Sequence, residues 1–161
     1  MSESKIRDAL ASNLALLDSS FSFCSKEFHL PNQVGTSGFI DILAKDEYDN
    51  YVIIELKCSA QAERQALTEV NKYAELLKQN HHIQSSHIRI VIVSTEWREL
   101  LAPFSDFVKN SPYQVDGYKL TIDEFFNPVK AAKLELRPDP QAPVMISQHL
   151  EFCYSSLAKR R

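Results

Sequence analysis

Apolar and polar positions alternate along this chain with two distinct periods, and the switches between them outline its elements. Ile6, Leu10, Leu14 and Leu17 recur at helical spacing, with Glu3, Arg7 and Asp8 on the polar side. That spacing predicts an amphipathic helix over Lys5–Leu17, capped by Ser2 or Ser4. Phe21–Leu30 mixes aromatic and polar residues and stops at Pro31-Asn32, so it reads as a strand. Gly35 and Gly38 then punctuate the approach to two apolar runs, Phe39–Ala44 and Tyr51–Leu56, joined by the polar stretch Asp46–Asn50. This arrangement predicts a β-hairpin. Downstream, Ala62, Ala66, Val70, Tyr73, Ala74 and Leu77 form a stripe that Leu67 widens, the pattern of a long helix. Ile88–Val93 is almost wholly apolar and suits a strand covered on both faces.

A strand, a crossover helix and a buried strand make a βαβ unit, so the expected class is α/β with a mixed central sheet flanked by helices. Thr95 is placed to cap a helix running to about Val108, which carries Trp97, Leu100, Leu101, Phe104 and Phe107. Pro103 inside it predicts a kink or two shorter helices. Tyr113–Ile122 reads as a small hairpin turning at Asp116-Gly117. Residues 1–127 are expected to form one domain and residues 128–161 a C-terminal arm, with three prolines in Arg137–Val144 and a short helix after Met145.

Composition narrows the class without naming a chemistry. With 161 residues, 44% hydrophobic and 24% charged, the chain has the make-up of a soluble globular domain. No apolar run approaches a membrane span and the first residues lack a signal-like core, so a cytoplasmic protein with no membrane partner is expected. Cys24, Cys58 and Cys153 are odd in number and widely spaced, which suits reduced thiols rather than disulfides or a zinc site. A formal net charge of −3 gives no global basic field for nucleic acid, and leaves room for a local one.

The candidate chemistry lies on the hairpin. A turn centred on Tyr48 sets Ala44 opposite Val52, Leu43 opposite Ile53, Ile42 opposite Ile54 and Asp41 opposite Glu55. Opposed side chains have Cβ atoms about 4.5–5.5 Å apart, and two carboxylates at that distance repel. Stability gives no reason for the pairing; a shared divalent cation does. Lys57, two residues beyond Glu55, lies on the same strand face.

Gly38-x-x-Asp41 followed by Glu55-x-Lys57 resembles the core motif of the PD-(D/E)XK nucleases, and is most similar to their NucS/EndoMS-type branch. The similarity extends over about residues 3–93, taking in the N-terminal helix, the strand ending Leu30-Pro31-Asn32, the hairpin and the helix bearing Tyr73. The resemblance implies a restriction endonuclease-like fold and a Mg²⁺-dependent endonuclease acting on DNA, with Mn²⁺ able to substitute. Asp41 and Glu55 would then hold the metal with the backbone carbonyl of Leu56, and Lys57 would orient the attacking water. It also implies accessory roles for Glu3, Glu69 and Tyr73, and a homodimer for cutting both strands. Relatives often carry Gln where this chain has Glu69.

Blander readings stand beside these. Asp41, Glu55 and Lys57 also suit a structural ion-pair cluster; Glu69 suits a solvated helix face, and Tyr73 and Trp97 the core. Cys58 suits a small buried hydrophobe, and His81, His82 and His87 a polar surface loop. Arg64 and Lys72 lie near one helix face, either in solvent or against a phosphate backbone. A catalytically inactive restriction-like module that binds nucleic acid or organises an assembly is the rival to the enzyme.

Overall fold

The computed structural model describes residues 2–136, apart from the side chains of residues 2 and 60–64. A six-stranded sheet runs in the order β1 to β6 across the molecule. The strands are β1 (Ser22–Leu30), β2 (Gly38–Lys45), β3 (Tyr51–Lys57), β4 (Ile88–Ser94), β5 (Gln114–Ile122) and β6 (Pro128–Lys133). β1, β2 and β3 pair antiparallel, β3, β4 and β5 parallel, and β5 and β6 antiparallel. The sheet is therefore mixed, with β3 at the seam between its two modes.

Helix α1 (Ser2–Ala11) covers one face and helices α2 (Ala60–His81) and α3 (Leu101–Asn110) the other. On the α1 side Ile6, Leu10, Leu14 and Leu17 bury Ile42, Ile54, Leu56, Val91 and Val93. On the α2 side Leu67, Val70, Tyr73, Ala74 and Leu77 bury Ile40, Leu43, Ile53, Ile90 and Ile92. The two helical stripes thus dock on opposite faces of the same strands, and the run Ile90–Val93 of β4 is wholly apolar because both its faces are covered. α1 is shorter than the periodicity predicts. It stops at Ala11, and Leu14 and Leu17 reach the core from a 3₁₀ turn, Leu14–Leu16, and the residue after it.

Three expectations change. The helix after β4 begins at Leu101, so Pro103 falls in its first turn, where a missing N–H costs nothing, and no kink is needed. Residues 114–122 do not turn back on themselves at Asp116-Gly117; they form one strand parallel to β4. Gly117 serves packing instead, since a Cβ there would lie 2.8 Å from Trp97 and 2.9 Å from Phe104. Residues 128–133, expected in the C-terminal arm, form β6 and continue the sheet. The proline-containing segment from 137 and the short helix after Met145 lie outside the described residues.

The turns before β3 and β6 are built alike. In Asp46–Asn50, Asp46 Oδ1 accepts from the Tyr48 and Asn50 amides and Asp49 is left-handed at φ 65°. In Asp123–Asn127, Asp123 Oδ1 accepts from the Phe125 and Asn127 amides and Phe126 is left-handed at φ 65°. In both, the closing Asn side chain returns a hydrogen bond to the opening Asp.

Candidate metal centre at the end of the sheet

The hairpin register is the expected one for Ala44–Val52, Leu43–Ile53 and Ile42–Ile54, and there the β2–β3 ladder ends. Asp41 and Glu55 are therefore not a regular rung. β2 swings away to follow β1, and the Asp41 side chain fills the gap: the Leu56 amide donates to Asp41 Oδ2 at 2.9 Å. The carboxylate replaces a main-chain acceptor, so the motif's first acid is anchored to the strand that carries the others. Burial raises the Asp41 pKa from its ordinary value, against the lowering effect of the Leu56 hydrogen bond.

Glu55 and Lys57 project from β3 toward α2. The Glu55 side chain is 2% exposed, and Lys57 Nζ lies 3.0 Å from Glu55 Oε1. Glu55 Oε2 is buried and has no hydrogen-bond partner. Burial, and then the charge of Asp41, push the Glu55 carboxyl up to about 8, even with Lys57 alongside. Burial alone would lower Lys57, yet the charge and hydrogen bond of Glu55 outweigh it and hold the ammonium protonated. Leaving a carboxyl oxygen buried without a partner costs about 1–3 kcal/mol, which a merely structural cluster would avoid.

Three accessory positions converge here. Glu3, on α1, accepts from the Cys58 amide at 3.0 Å and brings a third negative charge close enough to act on Asp41 and Lys57. Glu69, one helix face away on α2, lies 3.8 Å from Lys57 Nζ. Lys57 is thus shared between two acids. The Tyr73 ring packs over Gly38, where a Cβ would come within 2.5 Å of Cε1. Burial, and next the charge of Glu55, raise the Tyr73 phenol to about 12, so it stays a neutral donor.

The donors suit a hard cation. Two carboxylates, one with a bare oxygen, offer oxygen ligation of the kind Mg²⁺ and Mn²⁺ take, while leaving positions for water and phosphate. Among the described residues no three His, Cys, Asp or Glu side chains gather closely enough to hold an ion by themselves.

The remaining candidates divide. Lys72 points its ammonium at Thr36 Oγ1 (3.4 Å) and the Ser37 carbonyl (3.5 Å), tying α2 to the loop between β1 and β2. The Arg64 side chain lies outside the described residues. Burial raises the Cys58 thiol to about 11, so it is protonated rather than redox-poised. Trp97 is core, donating from Nε1 to the Tyr118 carbonyl at 3.1 Å. His81, His82 and His87 are exposed, as expected of surface residues, but His81 is the last residue of α2 and not part of the loop. Sequence reasoning missed the part played by β1: opposite Asp41 stands Glu27, with φ 50° inside a strand.

Fold and site together define a mixed α/β domain that gathers a buried glutamate, a half-buried aspartate and a lysine around its second and third strands. The model for the endonuclease NucS C-terminal domain matches residues 2–100, more than half of the chain, and the chain belongs to that family. It is 31% identical over 93 residues to Endonuclease NucS of Methanocaldococcus jannaschii, a match covering 58% of this chain and 32% of that protein. The chain thus spans about a third of the length of this relative. Three solved structures share the fold. The apo form of EndoMS has a TM-score of 0.54 at 18% identity, over 75% of this chain and 48% of its own. A repair endonuclease from Pyrococcus abyssi gives 0.51 at 16%, over 74% and 47%. A complex of EndoMS with dsDNA gives 0.50 at 17%, over 70% and 42%. No helix among the described residues is long and apolar enough to cross a membrane.

Proposed function

We propose that this chain is a restriction endonuclease-like nuclease domain of the PD-(D/E)XK type, hydrolysing phosphodiester bonds of DNA with Mg²⁺ or Mn²⁺. The observation that carries the reading is the partnerless, buried Glu55 Oε2 beside Asp41 and Lys57. Membership of the NucS family and a fold shared with DNA-acting endonucleases support it. Asp41 and Glu55 would hold the ion, with the Leu56 carbonyl as a third ligand. Such an ion, when bound, polarises a phosphoryl oxygen and lowers the pKa of its water.

The chain's own groups set up the rest. Asp41 is fixed by the Leu56 amide and Glu55 by Lys57, so each acid is held by contacts within the fold. Lys57 is protonated in the resting protein; it orients the attacking water and offsets charge gathering on the phosphate oxygens rather than serving as a free base. Oxygen from water joins phosphorus as the bond to the leaving oxygen breaks, and the proton of the water ends on the leaving group or solvent. Cytoplasmic location, and a homodimer that cuts both strands, belong to the same proposal.

Glu69 favours a second reading. By sharing Lys57 it adds negative charge where a phosphate must come, as would suit an inactive nucleic-acid-binding or assembly module. Nicking of supercoiled plasmid and of duplex, mismatched, branched and single-stranded oligonucleotides with Mg²⁺ or Mn²⁺ separates the two. Wild type is expected to cleave, Glu55→Ala to be inactive, and Lys57→Ala to lose about 10²–10³ in rate, the scale of removing one charge-stabilising donor. Equal activity in all three proteins overturns the assignment of residues. A folded wild type that cleaves no substrate overturns the enzyme in favour of the module.

A further inference from the structure

Four described non-glycine residues have positive φ: Glu27, Asp49, His82 and Phe126. Three stand where left-handed backbone is routine. Asp49 and Phe126 sit in the two matching turns, and His82 is the C-cap of α2. Glu27 alone lies inside a strand, at φ 50° in the sixth position of β1. A glutamate has no local reason to adopt that conformation, so the fold must impose it.

Its partner across the ladder explains what the strain accomplishes. β1 pairs Lys26 with Ile42 and Phe28 with Ile40, in constant register, and skips the rung between them, Glu27 and Asp41. Both strands change faces at that rung. Ile42 and Ala44 pack on the α1 side, whereas Ile40 packs on the α2 side, two residues away and therefore of the same parity. Lys26 pairs with Asp8 of α1, while Phe28 packs against the α2 cluster beside His81. A regular strand would turn Asp41 to one face of the sheet. The paired reversal turns its carboxylate sideways, to the Leu56 amide. From α1, Arg7 lies 3.2 Å from the exposed Glu27 carboxylate, a surface pair that contributes little beside the backbone conformation.

We infer that Glu27 is a positioning residue: its left-handed backbone, mirrored in the reversal at Asp41, aims the Asp41 carboxylate into the candidate metal centre. The inference rests on the nuclease reading for its purpose, but the geometry can be tested without activity. Backbone conformation is the operative property, so substitutions should sort by tolerance of positive φ and not by charge. Glycine and asparagine tolerate it, alanine less, and a β-branched residue least.

The test compares Glu27→Gly, Glu27→Asn, Glu27→Ala and Glu27→Val in the full chain. Two quantities are read: hydrogen exchange of the Leu56 amide, and Mn²⁺ affinity by titration of free ion. Glu27→Gly and Glu27→Asn are expected to keep both near wild type. Glu27→Val is expected to speed Leu56 exchange and to weaken Mn²⁺ by about 10–100-fold, the usual effect of disturbing a support for a metal ligand. Glu27→Ala should fall between, and decides the matter should the valine variant not fold. Leu56 protection unchanged in Glu27→Ala and Glu27→Val, or a glycine variant as impaired as the alanine one, overturns the inference. A wild type that binds no Mn²⁺ overturns the nuclease reading instead, while Leu56 exchange still decides the role of the kink.

Discussion

A carboxyl group that is buried, next to another acid, and short of one partner stays neutral more readily in the fold than in the unfolded chain. Glu55 is such a group, with a folded value of about 8 against an ordinary 4.5. The native state therefore binds the extra proton, and the contribution of Glu55 to stability falls as pH rises from about 4.5 to about 8, then levels off. Glu55→Gln keeps the shape and removes the charge. In metal-free buffer its unfolding free energy should exceed that of wild type by an amount that grows from pH 5 to pH 8, reaching the order of a few kcal/mol. Urea titrations at several pH values check this, and a constant gap would show that Glu55 is not held neutral. Of this site, Asp41, Glu55 and Lys57 were legible in the sequence because their spacing falls on a hairpin whose apolar runs fix the register. The missing Asp41–Glu55 rung and the kink at Glu27 were not, since no residue type announces a left-handed glutamate.

At the level of elements, the helices and inner strands follow from periodicity, whereas the errors come from turn signals. Asp116-Gly117 has the composition of a tight turn, but its glycine is required by the rings of Trp97 and Phe104. The converse error is the strand beyond Asn127. Its signal was present: Asp123-Glu124-Phe125-Phe126-Asn127 repeats the pattern of Asp46-Glu47-Tyr48-Asp49-Asn50, already read as a hairpin turn. The two turns differ in what lies beneath them. Asp46 also receives Arg89 Nη1 at 3.2 Å, and that arginine reaches Asp116 at 3.1 Å, an ion triad that joins the β2–β3 turn to β4 and β5 with little solvent exposure. Asp123 is solvated. Asp46→Ala removes one of the two carboxylates that hold Arg89 and should cost about 1–3 kcal/mol more than Asp123→Ala, which loses only its turn. Chemical denaturation of both variants measures the difference, and equal losses would assign no weight to the triad.

For the molecule as a whole, the strand order equals the chain order. β6 closes one flank of the sheet, with Leu134 donating its amide to the Gly117 carbonyl at 2.8 Å and Leu134 and Leu136 packing on the core. A chain ending at residue 127 should therefore melt lower than one ending at 136, and should self-associate through the bared edge of β5. Light scattering and thermal melts of the two truncations test this; coincident melts would make β6 an ornament of the sheet.

A sheet whose neighbours in space are neighbours in sequence has one more consequence, which concerns the growing chain. Each strand, as it leaves the ribosome, finds the strand it must pair with already made. Glu3, Glu27, Asp41, Glu55, Lys57, Glu69 and Tyr73 have all been synthesised before β4 begins, so the elements that carry the candidate site emerge ahead of the half of the sheet beyond β3.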